Sequence, residues 1–194
     1  MSEWGVGLGK EIYDFKGRDK LGQIGEAVCQ EYLKTWPCVI DIKNVRKDKD
    51  YQNKDIDIVI KLKDNQTLTI EVKTDSYMSG NMFYETISND VKNEIGCFEK
   101  TKSDFIFYYF IHPEYRKIYI FNTDKLREWV HNYKDEFKLK RVYNYNYCSW
   151  GFAFPLSRLE KDLEDSLTIA DLNGIENIEW FEEQARVYWD KKKS

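Results

Sequence analysis

The chain has 194 residues, 42% hydrophobic and 33% charged, with 14 Tyr and 11 Phe; that is enough apolar side chain for one domain with a sizeable core, and it excludes a disordered polymer. A net charge of −4 speaks against a general electrostatic grip on nucleic acid, although a local basic groove is compatible with it. No apolar run approaches the ~20 residues that span a bilayer, the opening MSEWGVGLGKEIYDFKGRD has no signal-peptide core, and the four cysteines are scattered without a C-x-x-C pair, so the expectation is a cytoplasmic protein with separate thiols and no membrane contact.

Residues 19–34, DKLGQIGEAVCQEYLK, are predicted to form the first helix, because Leu21, Ile24, Val28 and Leu33 with Ala27 make an apolar stripe at helical spacing. Gly22 and Gly25 each cost about 1 kcal/mol in a helix relative to Ala, which implies close packing on a sheet. Glu26 lies one position off the stripe, where it can lean over a sheet edge. A strand is expected to start at Val39-Ile40, and residues 41–54 mix charges before the segment 55–73. Residues 74–95 are turn-rich around Ser79-Gly80-Asn81, with an extended MFYETI carrying Glu85. GCFEKTKSD (96–104) reads as a Gly-started loop with Lys100 and Lys102.

FIFYYFI (105–111) is too apolar for an exposed strand and is expected to be buried on both faces, with IYIFN (118–122) as its hairpin partner. Thr123 is the predicted cap of a helix that turns Leu126, Trp129, Val130 and Tyr133 inward. RVYNYNY (141–147) alternates polar and aromatic residues. Its aromatics suit stacking on unpaired bases, but a sheet surface covered by the last helices is the commoner use. WGFAF and Pro155 lead to a short helix with Leu156, Leu159 and Leu163. After Asn173-Gly174 comes a last amphipathic helix at 175–192, so that 155–192 reads as a helical appendage to a core at 19–125.

The segment 55–73, DIDIVIKLKDNQTLTIEVK, carries the chemistry. Ile56, Ile58, Ile60 and Leu62 alternate with Asp57, Val59 and Lys61, and Leu68, Ile70 and Val72 with Thr69, Glu71 and Lys73, so two strands joined at Asp64-Asn65 present one apolar face and one face with Asp57, Glu71 and Lys73. The apolar rows share a face only across an odd loop, 63–65 or 63–67. The first puts Asp57 opposite Glu71; the second puts it opposite Lys73 and diagonal to Glu71. Carboxylates and a backbone carbonyl are the hard oxygen ligands of Mg²⁺, and a bound dication sharpens a water and neutralises charge on a phosphoryl group. A neighbouring lysine orients or deprotonates that water, or stabilises the developing charge. The tripeptide E-x-K alone is weak evidence, since Glu136-Phe137-Lys138 repeats it without a strand pattern. A serine or cysteine triad would need His112 or His131, and neither has a motif nucleophile near it.

The order helix with Glu26, Asp55-Ile56-Asp57, turn, Ile70-Glu71-Val72-Lys73 resembles the PD-(D/E)xK nuclease superfamily, which includes restriction enzymes and Holliday-junction resolvases. The resemblance implies an α/β, restriction-endonuclease-like core with a central mixed β-sheet flanked by helices. It matches Asp57 to the first acid, Glu71 to the second, Lys73 to the lysine and Glu26 to the helical glutamate. Mg²⁺, with Mn²⁺ as a substitute, would then be held by Asp57, Glu71, the Val72 carbonyl and Glu26. Ile56 stands where the name-giving proline can stand. Asp55 is an alternative to Asp57, which is preferred because it leaves 13 residues before Glu71. EVKTDSYMSGNMFYE and the segment Gly96 through Asp104 look like small phage or mobile-element nucleases, which suggests Glu85 as a further acid and Lys100 and Lys102 as phosphate contacts. DNA, branched or single-stranded forms included, is the implied partner, and a homodimer would suit cutting of both strands. The rival is a non-catalytic nucleic-acid- or protein-binding module that keeps this fold.

Overall fold

A computed structural model describes residues 20–76, 79–112, 115–144 and 146–189; the glycine-rich start at 5–10 and the last residues of the predicted tail helix lie outside these. In chain order come α1 (Lys20–Lys34), β1 (Val39–Asn44), a single turn α2 (Lys49–Gln52), β2 (Ile58–Leu62), β3 (Thr67–Asp75), β4 (Asn81–Asn89), β5 (Glu94–Ile95) and a short α3 (Cys97–Lys100). There follow β6 (Phe105–Phe110), β7 (Lys117–Asn122), α4 (Thr123–Tyr133), a 3-10 turn at Lys134–Glu136, β8 (Leu139–Tyr143), β9 (Cys148–Pro155), α5 (Leu156–Asp162), β10 (Leu167–Asp171) and α6 (Ile178–Trp189).

The architecture is α/β, with a six-stranded central sheet in the order β1-β2-β3-β6-β7-β10 and a second, four-stranded sheet in the order β5-β4-β9-β8. The central sheet is mixed, because β3 runs parallel to β6 while the other neighbours are antiparallel. β6 is its spine and is buried on both faces, as its unbroken apolar run demands. Phe107 and Tyr109 join α1 and α6 in one core, while Ile106, Tyr108 and Phe110 face the second sheet, α4 and α5 in another. No helix among the described residues is long and apolar enough to cross a membrane.

The β2–β3 hairpin has the shorter of the two predicted loops. Ile58 pairs with Ile70 and Ile60 with Leu68, and Leu62 N–H reaches Gln66 O at 2.8 Å. Asp64 accepts from Gln66 N–H at 3.0 Å and Asn65 takes φ 66°, a left-handed position that Asn tolerates better than most residues.

Four expectations are corrected. The segment 96–104 is not all loop, since one helical turn, α3, follows Gly96. The cap of α4 is Asn122, whose side chain accepts from Lys125 N–H at 3.0 Å; Asn fills this role as well as Thr. The region 155–192 is not purely helical: β10 adds the sixth strand to the central sheet along β7, and Ile178, Phe181 and Ala185 of α6 pack into the α1 core. The last helices therefore do not cover the aromatic strand β8, whose five residues are all exposed.

α1 meets the sheet through Gly25, where an added Cβ would lie 1.9 Å from Thr74 Oγ1 and 3.0 Å from Thr74 Cβ. At Gly22 the nearest atom is the end of the flexible Arg46 side chain, at 3.1 Å. Gly25→Ala should therefore lower stability by about 1–3 kcal/mol through overpacking, despite the better helix propensity. Gly22→Ala should be neutral or stabilising by up to about 1 kcal/mol. Urea midpoints of the two variants test this, and equal shifts would contradict the close approach.

Candidate functional site

β2 separates from β3 at its first residue, and the site occupies the fork. Asp55 takes a left-handed φ of 46° as the chain leaves α2, and Asp57 N–H donates to Ile70 O at 2.9 Å. Beyond this point β3 runs on without its neighbour. The Asp57 carboxylate takes over as its partner, accepting from Val72 N–H at 2.9 Å. Glu71 hydrogen-bonds it as well, and the charges of Arg46 and Asp55 act on it. The Val72 carbonyl lies on the same strand edge as its N–H, towards the fork. An open cleft of about 380 Å³ results, lined by Gly22, Glu26, Arg46, Gln52, Asp55, Ile56, Asp57, Glu71, Val72, Lys73 and Thr74.

Three acids of this cleft are poorly solvated. Glu26 is 3% exposed and Glu71 9%. Burial, followed by the charge of Asp57, pushes the Glu71 carboxyl well above its ordinary value. Burial also raises Asp57, against the Val72 N–H and Glu71 hydrogen bonds that favour its ionised form. Glu26 rises from 4.5 to about 7 through burial and then the Asp57 charge, although Asn44 and Arg46 oppose the shift. These are the signs expected of carboxylates gathered in a partly dry site without enough positive charge.

Arg46 is the residue that the sequence reading missed. Its guanidinium donates to Glu26 Oε1, while Asn44 Nδ2 donates to Glu26 Oε2 at 2.9 Å. Both residues sit at or just past the end of β1, and Gln52 of α2 fixes the Arg46 carbonyl with a 2.6 Å hydrogen bond. The one cue in the sequence was that a buried helical glutamate needs a counter-ion; the rest follows from β1 pairing antiparallel to β2, which puts its end beside Asp57.

Lys73 lies on the cleft wall, 3.9 Å from Glu85 of β4. Cys97, Glu85 and Glu71 together raise its ammonium above the ordinary lysine value against the opposing effect of burial, while burial pushes the neighbouring Cys97 thiol up to about 12. β4 comes this close because Gly96 has no side chain: a Cβ there would lie 2.1 Å from Glu85 O. Lys100 is drawn to Asp55, Nζ to Oδ1 at 2.8 Å, and Thr101 Oγ1 donates to Asp55 O at 2.5 Å. Asp55 is therefore held by α3, and Asp57 is the acid that meets Glu71. Lys102 is exposed at the rim, its N–H on Lys54 O at 2.8 Å. Glu26, Asp57, Glu71, Lys73 and the Val72 backbone thus share one cleft, with Glu85 beside Lys73 and Lys100 and Lys102 farther out. Among the described residues no three His, Cys, Asp or Glu side chains form a ready metal cage. Compared with family models, with curated proteins and with solved structures, the chain matches none.

A group whose folded pKa is raised contributes stability that is complete below its unfolded pKa and lost as pH climbs through the folded one. For Glu26 that window runs from 4.5 to about 7, and Asp57 and Glu71 act in the same direction. In chelator-containing buffer stability should fall across the window, by about 3 kcal/mol for Glu26 alone. Glu26→Gln should shrink the fall, because an amide has no proton to lose. Urea unfolding at pH 5 and pH 8 measures both. A midpoint that climbs with pH would contradict the assignment.

Proposed function

We propose that this chain is a Mg²⁺-dependent nuclease that hydrolyses DNA phosphodiester bonds, built on a restriction-endonuclease-like core. The observation that carries the proposal is the hydrogen-bonded Asp57–Glu71 pair at the mouth of the β2–β3 fork, with Lys73 two residues farther along the same strand in the same cleft. The donor chemistry fits a hard dication: two adjoining carboxyls, a backbone carbonyl and a third buried acid, all oxygen ligands. Mg²⁺ would be held by Asp57, Glu71 and the Val72 carbonyl. Glu26 would contribute directly, by giving up Asn44 and Arg46, or through a bridging water. When bound, the metal supplies an activated water and neutralises charge on the phosphate.

The chain's own residues divide the rest of the work. An ammonium paired with Glu85 has no lone pair to accept a proton, so Lys73 acts as a donor that orients the attacking water and stabilises negative charge as it develops. Asp57 and Glu71 must lose their shared proton before both can coordinate, which couples metal uptake to proton release. Arg46 keeps positive charge in the cleft throughout. Lys54, Lys100 and Lys102 stand on the α3 side of the cleft, where a phosphate backbone would be received.

Lys73→Ala should reduce cleavage by about 10²–10⁴-fold, while Mn²⁺ still raises the melting temperature, because an ammonium is not a metal ligand. Full cleavage by this variant would leave Lys73 only its ion pair with Glu85.

Asp57→Asn should abolish cleavage and the Mn²⁺-dependent rise in melting temperature. DNA binding in chelator should hold or tighten, since one negative charge facing the phosphate is gone. Like charges 4 Å apart repel by about 1 kcal/mol in water and about 4 kcal/mol at an effective dielectric of 20. Supercoiled, linear, single-stranded and branched DNA with Mg²⁺, Mn²⁺ or EDTA are the substrates to test. Failure of the parent to cut any of them would favour the binding module.

A further inference from the structure

We propose that β8, together with the Trp150 end of β9, is a binding platform for single-stranded nucleic acid. The proposal deepens the nuclease reading by naming the form of its substrate, and rests on that reading only for the link to cleavage. Between Phe137 and Leu159 the sequence contains no Asp or Glu but has Lys138, Lys140, Arg141 and Arg158, in a chain of net charge −4. β8 is the edge strand of the second sheet and is exposed from end to end. Leu139, Val142 and Tyr143, at 49%, 43% and 75% exposure, lie open beside the basic residues. A second copy of this chain pairing edge to edge would set Lys140 and Arg141 near their own symmetry mates, and like charges across a strand pair are destabilising. An anionic strand with stackable faces fits both the charge and the rings.

The platform is also built. Arg141 pairs with Trp150 and Tyr143 with Cys148, so Arg141, Tyr143 and Trp150 share one face. The guanidinium lies 4.8 Å from the Tyr143 ring centre and 5.3 Å from that of Trp150. Asp90 fixes this group from β4's end, accepting from Cys148 N–H at 2.8 Å and from Trp150 Nε1–H at 3.2 Å, and lying 3.8 Å from Arg141. One acid thus offsets one arginine and leaves Lys138 and Lys140 without an ion-pair partner among the described residues. Lys140 lies on the opposite face of β8 from Arg141 and Tyr143, and it is this face that leads to the cleft: Lys140 pairs with Gly151, and Gly151 with Glu85, the residue beside Lys73. Two strand spacings make the backbone distance from Lys140 to Glu85 about 10 Å.

The test is fluorescence anisotropy with the full chain in EDTA, using labelled oligo-dT, oligo-rU and a mixed-sequence duplex, each about 20 nucleotides long, enough to exceed one binding site. The parent should bind the single strands more tightly than the duplex. Tyr143→Ala should weaken single-strand binding by about 5- to 150-fold, the loss expected for one stacked base. Lys140→Glu should weaken it further at low salt and flatten its salt dependence. The oligo-dT and oligo-rU arms identify the sugar. Unchanged melting temperatures show that the variants fold. Equal affinity of both variants and the parent, no binding by the parent, or equal preference for duplex would each overturn the platform. So would a parent dimer in sedimentation that these substitutions dissociate, because the surface would then belong to a second copy. Since binding is read without metal, a chain that binds through Tyr143 yet cleaves nothing keeps the platform and removes the nuclease reading. A chain that cleaves but ignores Tyr143 does the reverse.

Discussion

The arrangement turns on two carboxyl groups, Asp57 and Glu71, held in hydrogen-bonding contact where β2 lets go of β3. In a chain optimised for stability alone, a strand departing from its neighbour would leave its edge to water or to a hydrophobic cover. Here the exposed edge of β3 is satisfied at Val72 N–H by an acid, and that acid is then set against a second, buried one. Such a pair favours neither ionised state: two like charges repel, and a neutral carboxyl gives up its hydration. Its retention is understandable if the cluster is tuned for something that brings positive charge with it.

Much of the remaining structure can be read as holding that fork open. On one flank α1 lies against β3 at the contact of Gly25 with Thr74, which carries Glu26 to the cleft. On the other, α3 ties down Asp55 through Lys100 and Thr101, and Arg127 of α4 braces that turn from behind by donating to Phe98 O at 2.8 Å. The base of β3 is fastened to β6 by Asp104, which accepts from Thr69 N–H and Oγ1–H, both at 2.7 Å. Glu26 and Glu71 thus stand on a helix and a strand, while Asp55 and Asp57, in the connection before β2, are tied to α3 and to the β3 backbone.

The hairpin, its face assignment and the buried strand β6 were legible because period-two alternation and an unbroken apolar run leave few alternatives. The loop length was not, since both odd loops satisfy the pattern; packing chose between them. β10 was missed because LTIAD is too short and too mixed to stand out, and it exists by pairing with β7. The separation of β4, β5, β8 and β9 into a second sheet is likewise a long-range property: Tyr84 and Phe154 find one another across some seventy positions of sequence, and no local signal says so. Within the cleft, the residues singled out by motif lie together, whereas Arg46 belongs to no motif and is placed by the antiparallel pairing of β1 with β2.

Arg46 and Lys73 show why two cations in one cleft need not be redundant. Lys73 sits on the strand that bears Glu71, its stem fixed by sheet geometry, and its partner Glu85 comes from the second sheet at 3.9 Å, beyond a tight hydrogen bond. An ammonium loosely paired in this way can turn towards a ligand at small cost. Arg46 is instead engaged with a buried acid through a planar donor group, and guanidinium does not lose its proton in any accessible range. The first can reorient within the cleft, and the second is committed to a buried acid. A lysine at 46 would therefore lose the planar donor group that engages Glu26.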